Sequence, residues 1–563
     1  MQVKKNKLGT FSLFNYNSNI KRHISALFIY FAVIFAYLYR GYRPSNWVVF
    51  SSTDASQFIN YMSWWVYAIT HFINPFINTR LYNGHVNMMY VTSAPLLAVL
   101  SLPVNILFGP VAAYDAIAVL AMPLSAYAAF VLVYYLTKNY FGSIIGGFFY
   151  GFSAYCIGET IIGDINLSSV YLIPLIAFVV LLKLDEKISA KLYVFLMSLM
   201  LAAQFLIFDE IYADLTVSGF IAIFLYYVFY KEQKIFKLIS LTILSYLFSL
   251  IIVSPFLYYA LARRYQIMMP PRLFLNKFYF AINPVFHSIS YIGPYLLIVV
   301  FLYIIKSKNY FLPTLLVVFS LLSSFYFFSF MPLLKEALPD RFVIYADLII
   351  SIIAGFYFSK LDFERVALLI LTVGSLATLS MAIIAHFKSS FNDTPVFFQT
   401  SLYKKYIKSG SEVLVLPLTF TDDNIRYQAI DNFYYKMPVG YYYNVNYILN
   451  KRNSTRNFNY LKYGKFFYLP RGYSRRLLNY FGMYNDNKKG FNAFLKKHNV
   501  KYIAVVCKSY SKRYIKKNYS YSKTWLSKLS SFNEKINACN LFKFSYKHVK
   551  IGNTILYFFG RKL

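Results

Sequence analysis

Acidic side chains are scarce in this chain: 22 Asp and Glu stand against 57 Lys and Arg among 563 residues, a net charge of +35. Charged residues of both signs reach only 14%, where soluble globular chains carry about 25%, which excludes an ordinary water-soluble fold. Cysteine is limited to three residues. Cys156 falls in an apolar stretch and reads as packing, and Cys507 and Cys539 are too few and too widely spaced for a metal site but free to pair in an oxidising compartment. The motifs of soluble enzymes are missing as well: there is no P-loop, Rossmann glycine fingerprint, His-Glu-x-x-His or Gly-x-Ser-x-Gly. Charges are nearly absent within the apolar runs, which argues against an ion pump or channel. Asp115 and Asp347 are the exceptions, and near span ends they read as interfacial caps.

What remains is apolar and aromatic. Hydrophobic residues make up 58% and aromatics 21%, with a mean hydropathy of +0.47. Runs long enough to cross a bilayer, about 20 residues each, recur from residue 24 to 386 and then stop. The chain therefore reads as a basic cytoplasmic N-terminus (1–23), a polytopic α-helical membrane domain (24–386) and a basic tail (387–563). Lys4, Lys5, Lys7, Lys21 and Arg22 precede the first span, 24–39, and keep the N-terminus in the cytoplasm by the positive-inside rule. No small-residue cleavage site follows, as expected of an uncleaved signal anchor.

Lysines fix the rest of the topology. The segment 91–108 is broken by Pro95 and Pro103 and reads as re-entrant or interfacial; as a full crossing it would carry the lysine-rich loops outside. The count is then about 11 transmembrane helices, with a first outer loop at 41–90 and an extracytoplasmic tail. Under this rule Asp54, Glu159, Asp164, Asp209, Glu210, Arg263, Arg264 and Arg341 share the outer face. The tail carries short buried strands at 412–417, 500–507 and 553–559, as in a small α/β or α+β domain. Its basic, aromatic composition resembles a single-strand nucleic-acid surface, but outside the cell anionic headgroups or phosphate-bearing substrates account for it, and no nucleic-acid partner is expected.

Within the first outer loop, 51–75 reads SSTDASQFINYMSWWVYAITHFINP. Asp54 precedes an aromatic-rich helical pattern, a position that suits an N-cap and equally an acidic group where a lipid-borne substrate enters. Carboxylates and arginines at the outer ends of several spans suit sugar transfer from a lipid-linked donor. That reaction needs a base to take the acceptor hydroxyl proton and positive charge on the departing phosphate, which Arg supplies bidentately.

The ordered series TDASQFINYMSWWVYAITHFINPF, LYNGHVNMMYVTSAPLLAVLSLPVNILFGPVAAYDAI, GGFFYGFSAY, GDINLSS, FLIFDEIY, LPDRFVIYADL and IRYQAIDNFYYKMPVGYY resembles the GT-C-fold membrane glycosyltransferases of bacteria and archaea over most of the chain. The resemblance implies a polyprenyl-phosphate-sugar-dependent, inverting transferase in the cell membrane, acting outside the cytoplasm on a glycan, glycolipid or glycoprotein acceptor. It places Asp54 as base or as acceptor or metal contact. Asp54 stands between Thr53 and Ala55 without a second acid, so a divalent cofactor, Mg or Mn, stays open. Asp164, Asp209 and Glu210 join it as candidate catalytic acids, although Asp164 also suits a turn and the acidic pair also suits a helix end. Arg341, Arg263 and Arg264 are the candidate phosphate-binding residues; arginines at span ends also snorkel to headgroups. Trp64, Trp65, His85 and Asn166 are the candidate substrate-lining residues. A non-catalytic scaffold of envelope glycan assembly and a flippase or transporter of lipid-linked sugars are the competing readings.

Overall fold

The computed structural model describes residues 16–38, 55–81, 86–89, 91–262, 294–307, 310–324, 339–360, 394–416, 423–438, 492, 495–507, 509–511, 535–537, 539 and 544–559. Asp54, His85, Arg263, Arg264 and the expected last crossing at 366–386 lie outside them.

Among the described residues five stretches are long and apolar enough to span a membrane: Leu102–Thr137 (α4), Ile165–Leu184, Ala190–Ile207 (α9), Asp209–Tyr230 (α10) and Lys234–Ile252 (α11). A sixth is the pair Tyr140–Gly151 (α5) and Ala154–Ile162 (α6), bent by 43°. Ile165–Leu184 comprises Ile165–Ser168 (α7) and Leu172–Leu184 (α8). Further apolar helices are Tyr16–Leu38 (α1), Pro294–Ser307 (α13), Phe311–Ser324 (α14) and Val343–Phe358 (α15), and the short Ser254–Ala262 (α12) follows α11 after Val253 alone. The apolar stretch 91–108 is divided between Pro95–Leu100 (α3) and the start of α4, which breaks at Gly109, where φ is +88°.

Local chemistry sets the breaks. Asn139 accepts from the Gly142 amide at 2.8 Å and Ser153 from the Cys156 amide at 3.3 Å, so each half of the bent pair starts on its own cap. In the bundle, α5 lies directly against α15 because Gly142 has no side chain: a Cβ there would stand 2.5 Å from the Gly355 carbonyl oxygen. One helical turn on, Ser351 donates to the Gly146 carbonyl at 2.6 Å. Small residues that let backbones touch are how helices pack where lipid removes the hydrophobic drive.

Two short antiparallel pairs, β1 (Ile77–Asn78) with β2 (Val86–Asn87) and β5 (Ser509–Ser511) with β6 (Lys535–Asn537), accompany a four-stranded mixed sheet of the tail in the order β3 (Glu412–Leu416), β4 (Val500–Val506), β8 (Thr554–Phe558), β7 (His548–Ile551). β3 runs parallel to β4, and β8 runs antiparallel to both β4 and β7. Three of these are the strands expected at 412–417, 500–507 and 553–559. β7 was not expected: it is an edge strand of four residues, HVKI, in which exposed His548 and Lys550 alternate with half-buried Val549 and Ile551, too short a run for the alternation to stand out. Cys507 and Cys539 form a disulfide, and Cys156 is a free buried thiol. One contiguous hydrophobic core runs from Tyr30 and Tyr150 in the bundle to Val415, Val506 and Leu556 in the sheet.

Asp431 follows the tail helix Asp423–Ile430 and is almost fully buried. Burial pushes its carboxyl up to about 9, with Tyr435 and the Lys404 charge offsetting only part of the shift. Its place at the negative end of a helix acts in the same direction. Because the folded value lies above the unfolded one, the stability this proton confers is lost as pH rises toward 9. The thermal midpoint of the full-length protein is expected to fall between pH 7 and 9.5 more steeply than that of Asp431→Asn; parallel pH profiles would show that Asp431 is ionised throughout.

Candidate active site

The segment that follows Asp54 forms helix α2, Ala55–Thr70. Thirteen of its 16 residues are buried, which its mixed sequence does not suggest. It packs against α3, α4 and the tail helix Asp423–Ile430. Polar groups make the contact with the tail helix specific. Asn60 donates through Nδ2 to the Ile425 carbonyl at 2.8 Å and to Gln428 Oε1 at 3.2 Å. Gln428 donates in turn to the carbonyls of Arg80 and Tyr435, at 2.9 and 3.1 Å. The Arg80 carbonyl also accepts from the Met437 amide at 2.8 Å, so loop and tail share one hydrogen-bond network.

Trp64 serves this docking, and Trp65 packs the same loop against α12. Trp64 donates to the Pro75 carbonyl at 3.0 Å and meets Phe433 of the tail edge-on at 5.4 Å. Trp65 packs edge-on to Phe76 at 5.3 Å and stacks on Phe256 of α12 at 6.0 Å. Both rings are buried; they hold the loop rather than line open space among the described residues.

The N-terminal end of α2 meets the turn between α6 and α7. Gly163 ends α6 with φ +96°, and a Cβ there would stand 2.8 Å from the Ala55 nitrogen. Only glycine allows this approach, and it sets Asp164 beside the residue bonded to Asp54. Tyr114 of α4 donates to the Gly163 carbonyl at 3.3 Å and fixes the turn from below. Asp164 is half-buried and opens α7 without a side-chain cap bond, and Asn166 is buried in the same short helix.

Glu159 belongs to this turn, since its carbonyl accepts from the amides of Gly163 and Asp164 at 3.0 and 2.9 Å. Its carboxylate pairs with Arg341, which donates through Nη1. Glu159 is 1% exposed and Arg341 9%, so this is a buried ion pair rather than a surface contact. Arg341 comes from the 3-10 turn Pro339–Phe342 ahead of α15. That turn lies against the first turn of α10, where the Tyr345 hydroxyl reaches the Ile211 carbonyl at 3.5 Å. Asp209 and Glu210 open α10, with Asp209 exposed and accepting from the Glu210 amide at 3.0 Å. The loops bearing Asp164, Glu159, Arg341 and Asp209-Glu210 thus adjoin one another at the α2 end of the bundle.

Beneath this layer the structure corrects one reading and adds a residue. Asp115 and Asp347 are not interfacial caps; both are buried inside helices, Asp347 five residues into α15. Asp214, fully buried one turn into α10, went unnoticed in the sequence, where its only signal is an acid inside an apolar run. Glu159, read only as a companion on the outer face, is the partner of Arg341. Among the described residues no group of three or more His, Cys, Asp or Glu is placed to hold a metal ion.

No family model matches the sequence, and no curated protein does. Solved structures do. The arabinofuranosyltransferase AftD from Mycobacteria aligns with 86% of the chain at a TM-score of 0.54 and 12% identity. The fold is of the GT-C type. Two other GT-C structures align more loosely, each with a TM-score of 0.45. The Archaeoglobus fulgidus oligosaccharyltransferase shares 11% identity over 86% of this chain and 69% of its own, and ArnT from Cupriavidus metallidurans, bound to undecaprenyl phosphate, 10% over 96% and 98%. The chain spans about a third of the length of AftD, 35%, so the likeness does not extend to the whole of that protein.

Proposed function

We propose that this GT-C chain is a membrane glycosyltransferase that moves a sugar from a polyprenyl-phosphate carrier to an extracytoplasmic glycan, lipid or protein acceptor, with inversion. The observation that carries this reading is the meeting of Ala55, the Gly163-Asp164 turn and the Glu159–Arg341 pair at one end of the bundle. Asp54, bonded to Ala55, takes the proton of the acceptor hydroxyl as its oxygen attacks the anomeric carbon; the bond from that carbon to the phosphate oxygen breaks and the lipid phosphate leaves. Arg341 supplies charge to the phosphate through guanidinium N–H groups not used by Glu159, since the fork carries five donors. Arg263 and Arg264 assist from the same face, and Asp164 and Asp209-Glu210 orient acceptor hydroxyls. A divalent ion held at Asp54 would polarise the same phosphate.

The test is transfer by the full-length protein in vesicles containing sugar-loaded polyprenyl phosphates, with the anomeric configuration of the product read by NMR. Inverted product from at least one donor is expected. Absence of transfer from any donor, together with unchanged surface glycans in cells lacking the chain, would sink the catalytic reading.

A further inference from the structure

The C-terminal end of α2 carries a feature that the proposed chemistry does not use. The helix stops in a Schellman arrangement: the Ile73 amide donates to the Ala68 carbonyl at 2.9 Å and the Phe72 amide to the Ile69 carbonyl at 3.2 Å. The residue that must turn left-handed in this motif is usually glycine. Here it is Phe72, with φ +54°, a strained conformation for a bulky side chain. Its ring is 96% exposed, and Ile69 and Ile73 beside it are exposed as well. An apolar side chain forced outward at the tip of an otherwise buried helix needs an apolar environment.

The neighbouring element identifies that environment. The segment after Phe72 is fastened to α12: Asn74 donates to the Tyr259 hydroxyl at 2.8 Å, Asn87 donates to the Tyr259 carbonyl at 2.9 Å, and the Phe76 ring stacks on Tyr259 at 4.2 Å. α12 continues α11, a helix of membrane-spanning length whose Ile243, Leu247 and Ile251 form an exposed stripe at helical spacing. Tyr258 and Leu261 extend the exposed apolar surface into α12. The tip of α2 is therefore bonded to an element at the membrane surface and continuous with a lipid-facing one.

We propose that Phe72, flanked by Ile69 and Ile73, inserts into the lipid leaflet at the C-terminal end of α11 and pins the outer-loop helix α2 to the membrane surface. An aromatic ring on a turn at this depth sits where interfacial anchors are favoured. The insertion holds the far end of α2, while Gly163 holds the end next to Asp54.

The experiment uses the full-length protein in phosphatidylethanolamine and phosphatidylglycerol vesicles containing a lipid with a carbene-generating diazirine in the upper acyl chain. After photolysis, adducts are mapped by mass spectrometry. Adducts are expected on residues 69–73 of the unmodified protein and on the α11 stripe, which serves as the internal control. Labelling of α11 without labelling of 69–73 would overturn the proposal, whether the tip faces water or another protein. In Phe72→Ser, labelling at Ile69 and Ile73 should fall several-fold while α11 labelling is retained. Unchanged labelling of 69 and 73 in that variant would show that Phe72 is not the anchor.

Discussion

Asp54→Asn is expected to lower sugar transfer by about 10²–10⁴-fold, the range in which a positioned general base contributes, without lowering the thermal stability of the protein. The substitution separates the two roles open to this residue. Asn caps a helix as well as Asp does, so if Asp54 serves only to start α2, the variant should be as stable and as active as the parent. If the carboxylate takes the acceptor proton, capping survives and turnover does not, because a neutral amide cannot accept a proton at physiological pH. The measurement is initial transfer rate at saturating donor beside a melting curve on the same preparation. Full activity in a well-folded Asp54→Asn protein would move the base elsewhere, with Asp164 the next candidate because Gly163 lies against Ala55.

The second large effect belongs to Glu159. Replacing it with Gln removes the negative charge paired with the buried Arg341 guanidinium, and breaking a buried ion pair in this way costs about 3–5 kcal/mol. Arg341→Met alone should be comparably destabilising, since it breaks the same pair from the other side. The double variant Glu159→Leu, Arg341→Met removes both charges, and apolar replacement of a buried pair is often neutral for stability. Stability should therefore return in the double variant while transfer stays low, because the charge meant for the departing phosphate is gone. Thermal unfolding and transfer rates of the three variants distinguish a pair that only holds the turn from one that also serves the reaction. A double variant both stable and fully active would confine Arg341 to a structural role.

The sequence was most informative where composition and periodicity act locally. Long apolar runs define spans because backbone groups in lipid must bond within their own segment, and the observed helices at 102–137, 190–207, 209–230 and 234–252 follow those runs. The strands at 412–416, 500–506 and 554–558 were visible for a related reason, as short apolar stretches bounded by polar residues. The edge strand β7 and the buried Asp214 were not, since a four-residue alternation and a single acid in an apolar run look like loop and cap in one dimension.

Residue roles divided along the same line. The expectation that Asp54, Asp164, Asp209, Glu210 and Arg341 share one side of the membrane rests on lysine placement, a property of the chain read in order. Which of them adjoin depends on contacts between residues far apart in sequence: Glu159 meets Arg341 across 182 positions, and Asn60 meets Gln428 across 368. Trp64 and Trp65 could be read from the sequence as lining a substrate path, and only the tertiary packing sets Trp64 against Phe433 of the tail and Trp65 against Phe76 and Phe256 of α12.

By itself, then, the sequence determined that this is a multi-helix membrane chain with few carboxylates and a less apolar, strand-bearing C-terminal part, because hydropathy and charge act through the solvent at each position. The tertiary structure alone decided that the tail clamps α2, that Gly163 lies against the helix beginning at Ala55, and that Arg341 is tied to Glu159. Those facts depend on close packing and on burial of paired polar groups, which arise only when distant segments are brought together.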